Sequence, residues 1–232
     1  MTGEHRNDGS HLVTFYEDDR FLAEVVAGYL ADGLEQGETA LVVATPEHRA
    51  AFAASLAAGG ADLDLLRAAG RYLELDAATT LASLRGADGG IDRATFTAEI
   101  GGLLRRLTAD GHRLRVYGEM VSLLWAEGEL DLALFLEDRW NHLLDRLALP
   151  LLCGYPMAGF DTPETTARFH DVCARHRAIT TDSYRRLASD DRSDARVVLL
   201  DAGEPGGRRP DRSSGWVEDL RPRVPFTLPR GA

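Results

Sequence analysis

Carboxylates stand at two places in the sequence where chemistry could occur. Glu17, Asp18 and Asp19 directly follow an apolar run, and Glu119 follows another after a single glycine. Paired carboxylates can act as general acid and general base, or hold a divalent cation. All 26 basic residues are arginine. The absence of lysine excludes a Schiff base, a lysine general base and the lysine of a phosphate loop.

The segment that follows the first apolar run is unsuited to phosphate. A phosphate loop needs glycines, free backbone N–H groups and a cation, whereas residues 16–20 contain neither glycine nor lysine. Aspartate is a common N-cap, and acidic side chains are favourable at a helix N-terminus. We therefore interpret Asp18 and Asp19 as capping residues. For Glu17, a ligand contact and a role at the helix terminus both stay open.

Apolar runs and amphipathic segments alternate along the chain. The apolar runs predict five strands, at residues 12–16, 39–44, 71–75, 114–117 and 150–155. Helical periodicity predicts helices at residues 20–35, 46–58, 77–84, 92–109, 120–126, 129–147 and 162–187. This alternation favours an α/β fold: a mainly parallel five-stranded sheet flanked by helices on both faces.

The carboxyl ends of parallel strands meet at one edge of a sheet, and ligands of open α/β folds bind there. Tyr16, Glu17, Thr45, Glu119 and Tyr155 lie at predicted strand ends. Aromatic side chains near these ends, including Trp125, suit an apolar or planar molecule. We expect any ligand to bind at this edge.

Several other polar residues allow both a structural and a functional interpretation. Glu137 and Asn141 share one helix face, and they form either a surface pair or a polar stripe that points toward the ligand pocket. His170, Cys173 and His176 have a spacing that could serve a metal, but Cys173 and His176 also fit a buried helix face. Cys153 has no adjacent base and is read as a core thiol. We predict no metal, no cofactor and no disulfide framework.

Charge and hydropathy limit the partners. The net charge is −11, and residues 190–232 are neutral with eight arginines and eight acids. The acidic excess therefore lies before this tail, which argues against direct nucleic-acid binding. No apolar run approaches the roughly 20 residues that span a bilayer, so a soluble cytoplasmic protein without membrane contact is expected.

The chain is predicted to have one domain. Residues 1–9 are predicted to be disordered, residues 10–187 to form the domain, and the proline-rich residues 188–232 to form a disordered or docking tail.

Residues 11–45 have an order of elements that resembles the opening of RecA/KaiC-like ATPase domains, with the phosphate loop lost. This resemblance implies that the parallel sheet is RecA-like. More closely, the chain resembles the MEDS family, the sensory domain of methanogen and methylotroph regulators such as DcmR, over about residues 10–180. The matching residues are His11, Phe15-Tyr16-Glu17, Gly37-Glu38, Ala44-Thr45, Tyr117-Gly118-Glu119-Met120-Val121, Leu124-Trp125, Leu136-Glu137, Trp140-Asn141 and Leu152-Cys153-Gly154-Tyr155-Pro156.

The resemblance implies a sensory module for signal transduction and transcription regulation. We recognise no DNA-binding or kinase output domain. We therefore expect a non-catalytic sensor that binds a small molecule or a regulatory partner protein and signals through protein contacts. A homodimer is one form that such a sensor can take. One alternative is an enzyme that uses Glu17 and Glu119, with or without a divalent cation. Another is an adaptor that acts through its tail. The candidate ligand-binding residues are His11, Tyr16, Glu17, Thr45, Glu119, Trp125 and Tyr155.

Overall fold

The computed structural model describes residues 10–179, apart from the side chains of Asp110, Ala178 and Ile179. The predictions for residues 1–9 and 188–232 lie outside the described residues. Within residues 10–179, no helix is both long enough and apolar enough to cross a membrane.

One six-stranded sheet organises the fold of the described residues. Its strands run parallel in the order β3-β2-β4-β5-β1-β6. The predicted α/β fold with a parallel sheet is confirmed, and a sixth strand of two residues is added beside β1. The strands are β1 His11–Tyr16, β2 Thr39–Ala44, β3 Tyr72–Asp76, β4 Leu114–Gly118, β5 Leu151–Pro156 and β6 Ala178–Ile179.

Eight α-helices occur in the described part of the chain: α1 Asp19–Glu35, α2 Pro46–Ala58, α3 Leu63–Ala68, α4 Ala77–Leu84, α5 Arg93–Leu107, α6 Met120–Ala126, α7 Leu130–Leu147 and α8 Pro163–Arg175. The prediction missed α3 because six residues are too few to show a helical period. The prediction that α8 continues through residues 176–179 is wrong. His176 has extended backbone angles, and the chain then pairs with β1.

Helices cover both faces of the sheet, as predicted. Side chains alternate along each strand, so Val13 and Phe15 of β1 enter one core while Leu12 and Tyr16 enter the other. The core with Tyr16 is closed by α1, α2 and α3, and the core with Phe15 is closed by α4 to α8. Neighbouring residues of one strand therefore serve different sides of the protein.

A buried ion pair fixes the amino-terminal side of the sheet. Glu38 has no exposed side-chain surface and pairs with Arg113 and with Arg115, whose Nε lies 2.8 Å from Glu38 Oε2. Arg115 also donates to the Tyr29 carbonyl oxygen of α1 at 2.8 Å. Gly33 leaves the room for this, because a Cβ there would lie 2.6 Å from Arg115 Nε. These contacts tie α1 to β2 and β4.

Candidate functional site

The junction between β1 and α1 is built as a capped helix start. Asp18 is the extended N-cap residue, and its Oδ1 accepts a hydrogen bond from the Phe21 N–H at 2.8 Å. Asp19 is the first helical residue, and Glu17 lies exposed before the cap. The positive end of α1 is therefore occupied by the protein's own carboxylates.

Glu119 connects two neighbouring strand ends. Its side chain is 2% exposed and accepts hydrogen bonds from the Thr45 N–H at 2.5 Å, from His48 Nδ1 at 2.7 Å and from the Tyr117 hydroxyl at 3.0 Å. Thr45 is the N-cap of α2, and Tyr117 belongs to β4. Glu119 thus holds the start of α2 against the end of β4. We call Asp19, Thr45, His48, Tyr117 and Glu119 the edge cluster.

His48 is the centre of the edge cluster. Its Nδ1 faces Glu119, and its Nε2 lies 3.3 Å from Asp19 Oδ1. The ring stacks on Phe52 with centroids 5.7 Å apart and meets the edge of Tyr16 at 6.0 Å. Partial burial lowers the pKa of His48, but the hydrogen bond to Glu119 and the two carboxylate charges outweigh it, so the pKa is raised. The site favours an imidazolium between two carboxylates.

Three predicted ligand residues, Tyr16, Thr45 and Glu119, are brought together by this geometry. His48 was not among the ligand residues predicted from the sequence. It lies three residues after the Thr45 cap, in the first turn of α2 at the carboxyl edge of the sheet, and this position could have indicated it. The arrangement does not favour Glu17 and Glu119 as an acid–base pair, because Glu17 is exposed while Glu119 is buried and engaged by three donors.

A second polar group lies in the core on the opposite face of the sheet. We call His11, Glu137, Cys153 and His176 the buried cluster. His11 Nε2 is 3.3 Å from Glu137 Oε2 and 3.3 Å from Cys153 Sγ. His176 Nε2 is 3.5 Å from Glu137 Oε1, to which the Tyr155 hydroxyl donates at 2.7 Å. These polar groups meet where β1, β5 and α7 converge with the segment that follows α8.

The Nδ1 atom of each histidine in the buried cluster has its own hydrogen-bond partner. His11 Nδ1 lies 3.0 Å from Asn141 Oδ1, and Asn141 Nδ2 donates to the Arg175 carbonyl oxygen at 3.0 Å. His176 Nδ1 lies 2.7 Å from the Val172 carbonyl oxygen. Burial and the neighbouring His11 lower the pKa of His176 to about 4. Glu137 is buried and Asn141 contacts His11, so the interpretation of Glu137 and Asn141 as a surface pair is wrong. Both side chains point to the buried cluster.

Three predicted ligand residues lie inside this core: Trp125, Tyr155 and His11, which is a member of the buried cluster. Trp125 donates from Nε1 to the Gly159 carbonyl oxygen at 2.7 Å and packs against Tyr155 with centroids 5.6 Å apart. Both side chains are buried. The spacing of His170, Cys173 and His176 does not produce a common site, since His170 is exposed and His176 leaves the helix to approach Glu137.

One glycine of β5 lies between the two clusters. Cys153 and Tyr155 face the buried cluster, while Gly154 faces the other side of the sheet. A Cβ at Gly154 would lie 2.6 Å from the Tyr117 hydroxyl oxygen, which donates to Glu119. The glycine therefore leaves space for a hydrogen bond of the edge cluster.

The sequence that contains both clusters matches a known protein family. The sequence profile of the MEDS family, described as the MEthanogen/methylotroph, DcmR Sensory domain, matches residues 10–177. This range spans most of the chain and includes both clusters. The chain belongs to the MEDS family. The resemblance inferred from the sequence is thereby confirmed, and this MEDS domain is assigned a sensory role at the level of its family.

Sequence and structure searches gave different results. No curated protein matches this chain by sequence. Among solved structures, it is similar to a KaiC-like protein from the hyperthermophilic archaeon Pyrococcus horikoshii, with a TM-score of 0.51 and 14% identity over 77% of each chain. Similarity at this identity shows the fold alone, and it supports the RecA-like description of the sheet and its helices.

Proposed function

We propose that this MEDS domain is a non-catalytic sensor that binds a small molecule or a partner protein at the carboxyl edge of the sheet. The observation that carries the proposal is the chain of contacts Asp19–His48–Glu119. Asp19 is exposed, His48 is largely covered and Glu119 is buried. A binding event at the surface can therefore reach groups that join separate elements of the fold.

The chemistry of the edge cluster indicates what it recognises. His48 presents a positively charged N–H toward Asp19 at the surface. A neutral carbonyl or hydroxyl oxygen of a ligand can replace the negatively charged Asp19 oxygen. Such a ligand changes the charge around His48, and hence the strength of the hydrogen bond from His48 to Glu119. Glu119 then transmits the change to the start of α2 and the end of β4.

The junction between β1 and α1 supports a sensor rather than a nucleotide hydrolase. Its three consecutive acids repel a polyphosphate, and Asp18 already caps the helix N-terminus. A phosphate loop would instead present open N–H groups and a lysine.

The test compares a variant of the edge cluster with an equivalent surface variant. Wild type, His48→Gln and His112→Gln are purified from the native host, and bound molecules are identified by native mass spectrometry. His112 is an exposed histidine and serves as the control. We expect a small molecule or protein to be retained by wild type and His112→Gln and to be lost from His48→Gln.

Two results count against this proposal. Equal retention by His48→Gln would place binding elsewhere on the domain. ATP or GTP hydrolysis at ordinary enzymatic turnover by the wild-type chain would contradict a non-catalytic role.

A further inference from the structure

We propose that His11, Glu137, Cys153 and His176 bind one divalent transition-metal ion, with zinc as the best fit. The four ligand atoms all lie within 4.8 Å of one another, and all four side chains are buried. They come from β1, α7, β5 and the residue after α8. This site is separate from the edge cluster and does not depend on the function proposed for it.

Three of the separations between ligand residues match those of a tetrahedral ligand set. Zinc binds imidazole nitrogen at about 2.0–2.1 Å and thiolate sulfur at about 2.3 Å, which separates two ligand atoms by roughly 3.3–3.6 Å at a tetrahedral angle. His11 Nε2 is 3.3 Å from both Cys153 Sγ and Glu137 Oε2, and His176 Nε2 is 3.5 Å from Glu137 Oε1. Cys153 Sγ is 3.9 Å from Glu137 Oε2. An ion can enter this group with small side-chain adjustments.

Both histidines are oriented as metal ligands are. A ligating imidazole usually donates its other N–H to an oxygen acceptor, which fixes the tautomer and the ring plane. The Asn141 amide oxygen accepts from His11 Nδ1, and the Val172 carbonyl oxygen accepts from His176 Nδ1. The Asn141 amide is itself oriented by the Arg175 carbonyl. The lone pairs of both Nε2 atoms are thus directed toward Glu137.

One ring nitrogen of His176 is buried without a hydrogen-bond partner, and its surroundings favour a bound cation. His176 Nε2 is buried and has no hydrogen-bond partner, although a carboxylate oxygen lies 3.5 Å away. A lone pair facing a carboxylate is unfavourable unless a positive charge lies between them. A proton between His11 and Glu137 would satisfy that contact but leave His176 Nε2 unbonded. One metal ion satisfies all four ligand atoms at once.

The donor set also indicates the type of metal site. Two imidazole nitrogens, one thiolate and one carboxylate suit zinc, and a closed set of four protein ligands is typical of structural rather than catalytic sites. Binding replaces the Cys153 thiol proton, which is released to solvent. His176 lies between α8 and β6, so metal occupancy would hold this segment against β1. The metal thereby couples to the docking of residues 176–179.

Wild-type protein without an affinity tag provides the primary test. The metal content is measured after purification, the metal is removed with a chelator, and Co²⁺ is titrated before Zn²⁺. We expect one equivalent of Co²⁺, visible absorption typical of tetrahedral cobalt and a near-ultraviolet thiolate charge-transfer band, all displaced by Zn²⁺. Stripped wild type that binds no Co²⁺ or Zn²⁺ stoichiometrically overturns the proposal, whatever the variants do.

The chain supplies matched controls for two ligands. Cys153→Ser should abolish the charge-transfer band, whereas Cys173→Ser should keep it. His176→Gln should weaken Co²⁺ binding, whereas His170→Gln should not. Tyr155→Phe removes the hydroxyl that orients Glu137 and should weaken binding roughly 10- to 100-fold. Equal effects of the two cysteine variants, or of the two histidine variants, would refute the assignment.

Discussion

The hydrogen bond between His48 and Glu119 provides a quantitative test of the edge cluster. The two side chains are 13% and 2% exposed, so water screens their interaction weakly. A hydrogen bond to a charged group contributes about 1.5–3 kcal/mol, a large part of the roughly 5–15 kcal/mol that stabilises a domain. With a urea slope of about 2 kcal/mol/M, loss of about 2 kcal/mol lowers the unfolding midpoint by about 1 M.

A double-mutant cycle isolates this pair. Glu119→Gln, His48→Gln and the double variant are unfolded in urea at pH 6, with wild type as the reference. Replacing Glu119 also weakens its hydrogen bonds to Thr45 and Tyr117. The cycle subtracts the free energies of these other contacts, provided that they are additive with the His48 contact. We expect a coupling free energy of about 1.5–3 kcal/mol at pH 6.

The coupling should also depend on pH with a defined sign. The pKa of His48 is raised in the folded state by Glu119 and Asp19, above its unfolded value of 6.5, against the opposing effect of burial. The stabilisation is therefore fully present below pH 6.5 and is lost as the pH rises through the folded-state pKa. Tyr16, whose ring also meets His48, has a pKa raised by burial and by the two carboxylates, so it stays neutral in this range. A coupling below about 0.5 kcal/mol at pH 6, or one that does not fall toward pH 9, would refute the reasoning.

Two glycine substitutions test close approaches elsewhere in the fold. Gly33→Ala should lower the free energy of unfolding in urea by about 3–5 kcal/mol, because the added methyl group disrupts the buried ion pair of Arg115 with Glu38. Gly28 lies on the same helix and has open space around it, so Gly28→Ala should be neutral or stabilise the protein by up to about 1 kcal/mol. Equal effects would contradict the proposed contact. Gly154→Ala should cost about 1–3 kcal/mol by displacing the Tyr117 hydroxyl. Adding Tyr117→Phe should recover part of that loss, and no recovery would argue against this clash.

Much of the fold follows from local signals in the sequence. The predicted helices at residues 46–58, 77–84 and 120–126 have the observed boundaries, since a cap or a glycine marks at least one end of each. The carboxyl edge could also be located, because strands joined by helices run parallel and end at the same side. Local sequence could not reveal β6, since two residues become a strand only by pairing with β1.

Residue patterns along the chain are enough to predict the alternating elements, the absence of lysine chemistry and the acidic start of α1. Which polar residues contact one another depends on how these elements pack. A helical period shows that Glu137 and Asn141 share a face but not what that face contacts. The pairing of His11 with Leu151 places His11 near Cys153, and the end of α8 brings His176 to the same point. These contacts depend on strand register and on packing between distant segments, which local residue patterns do not encode.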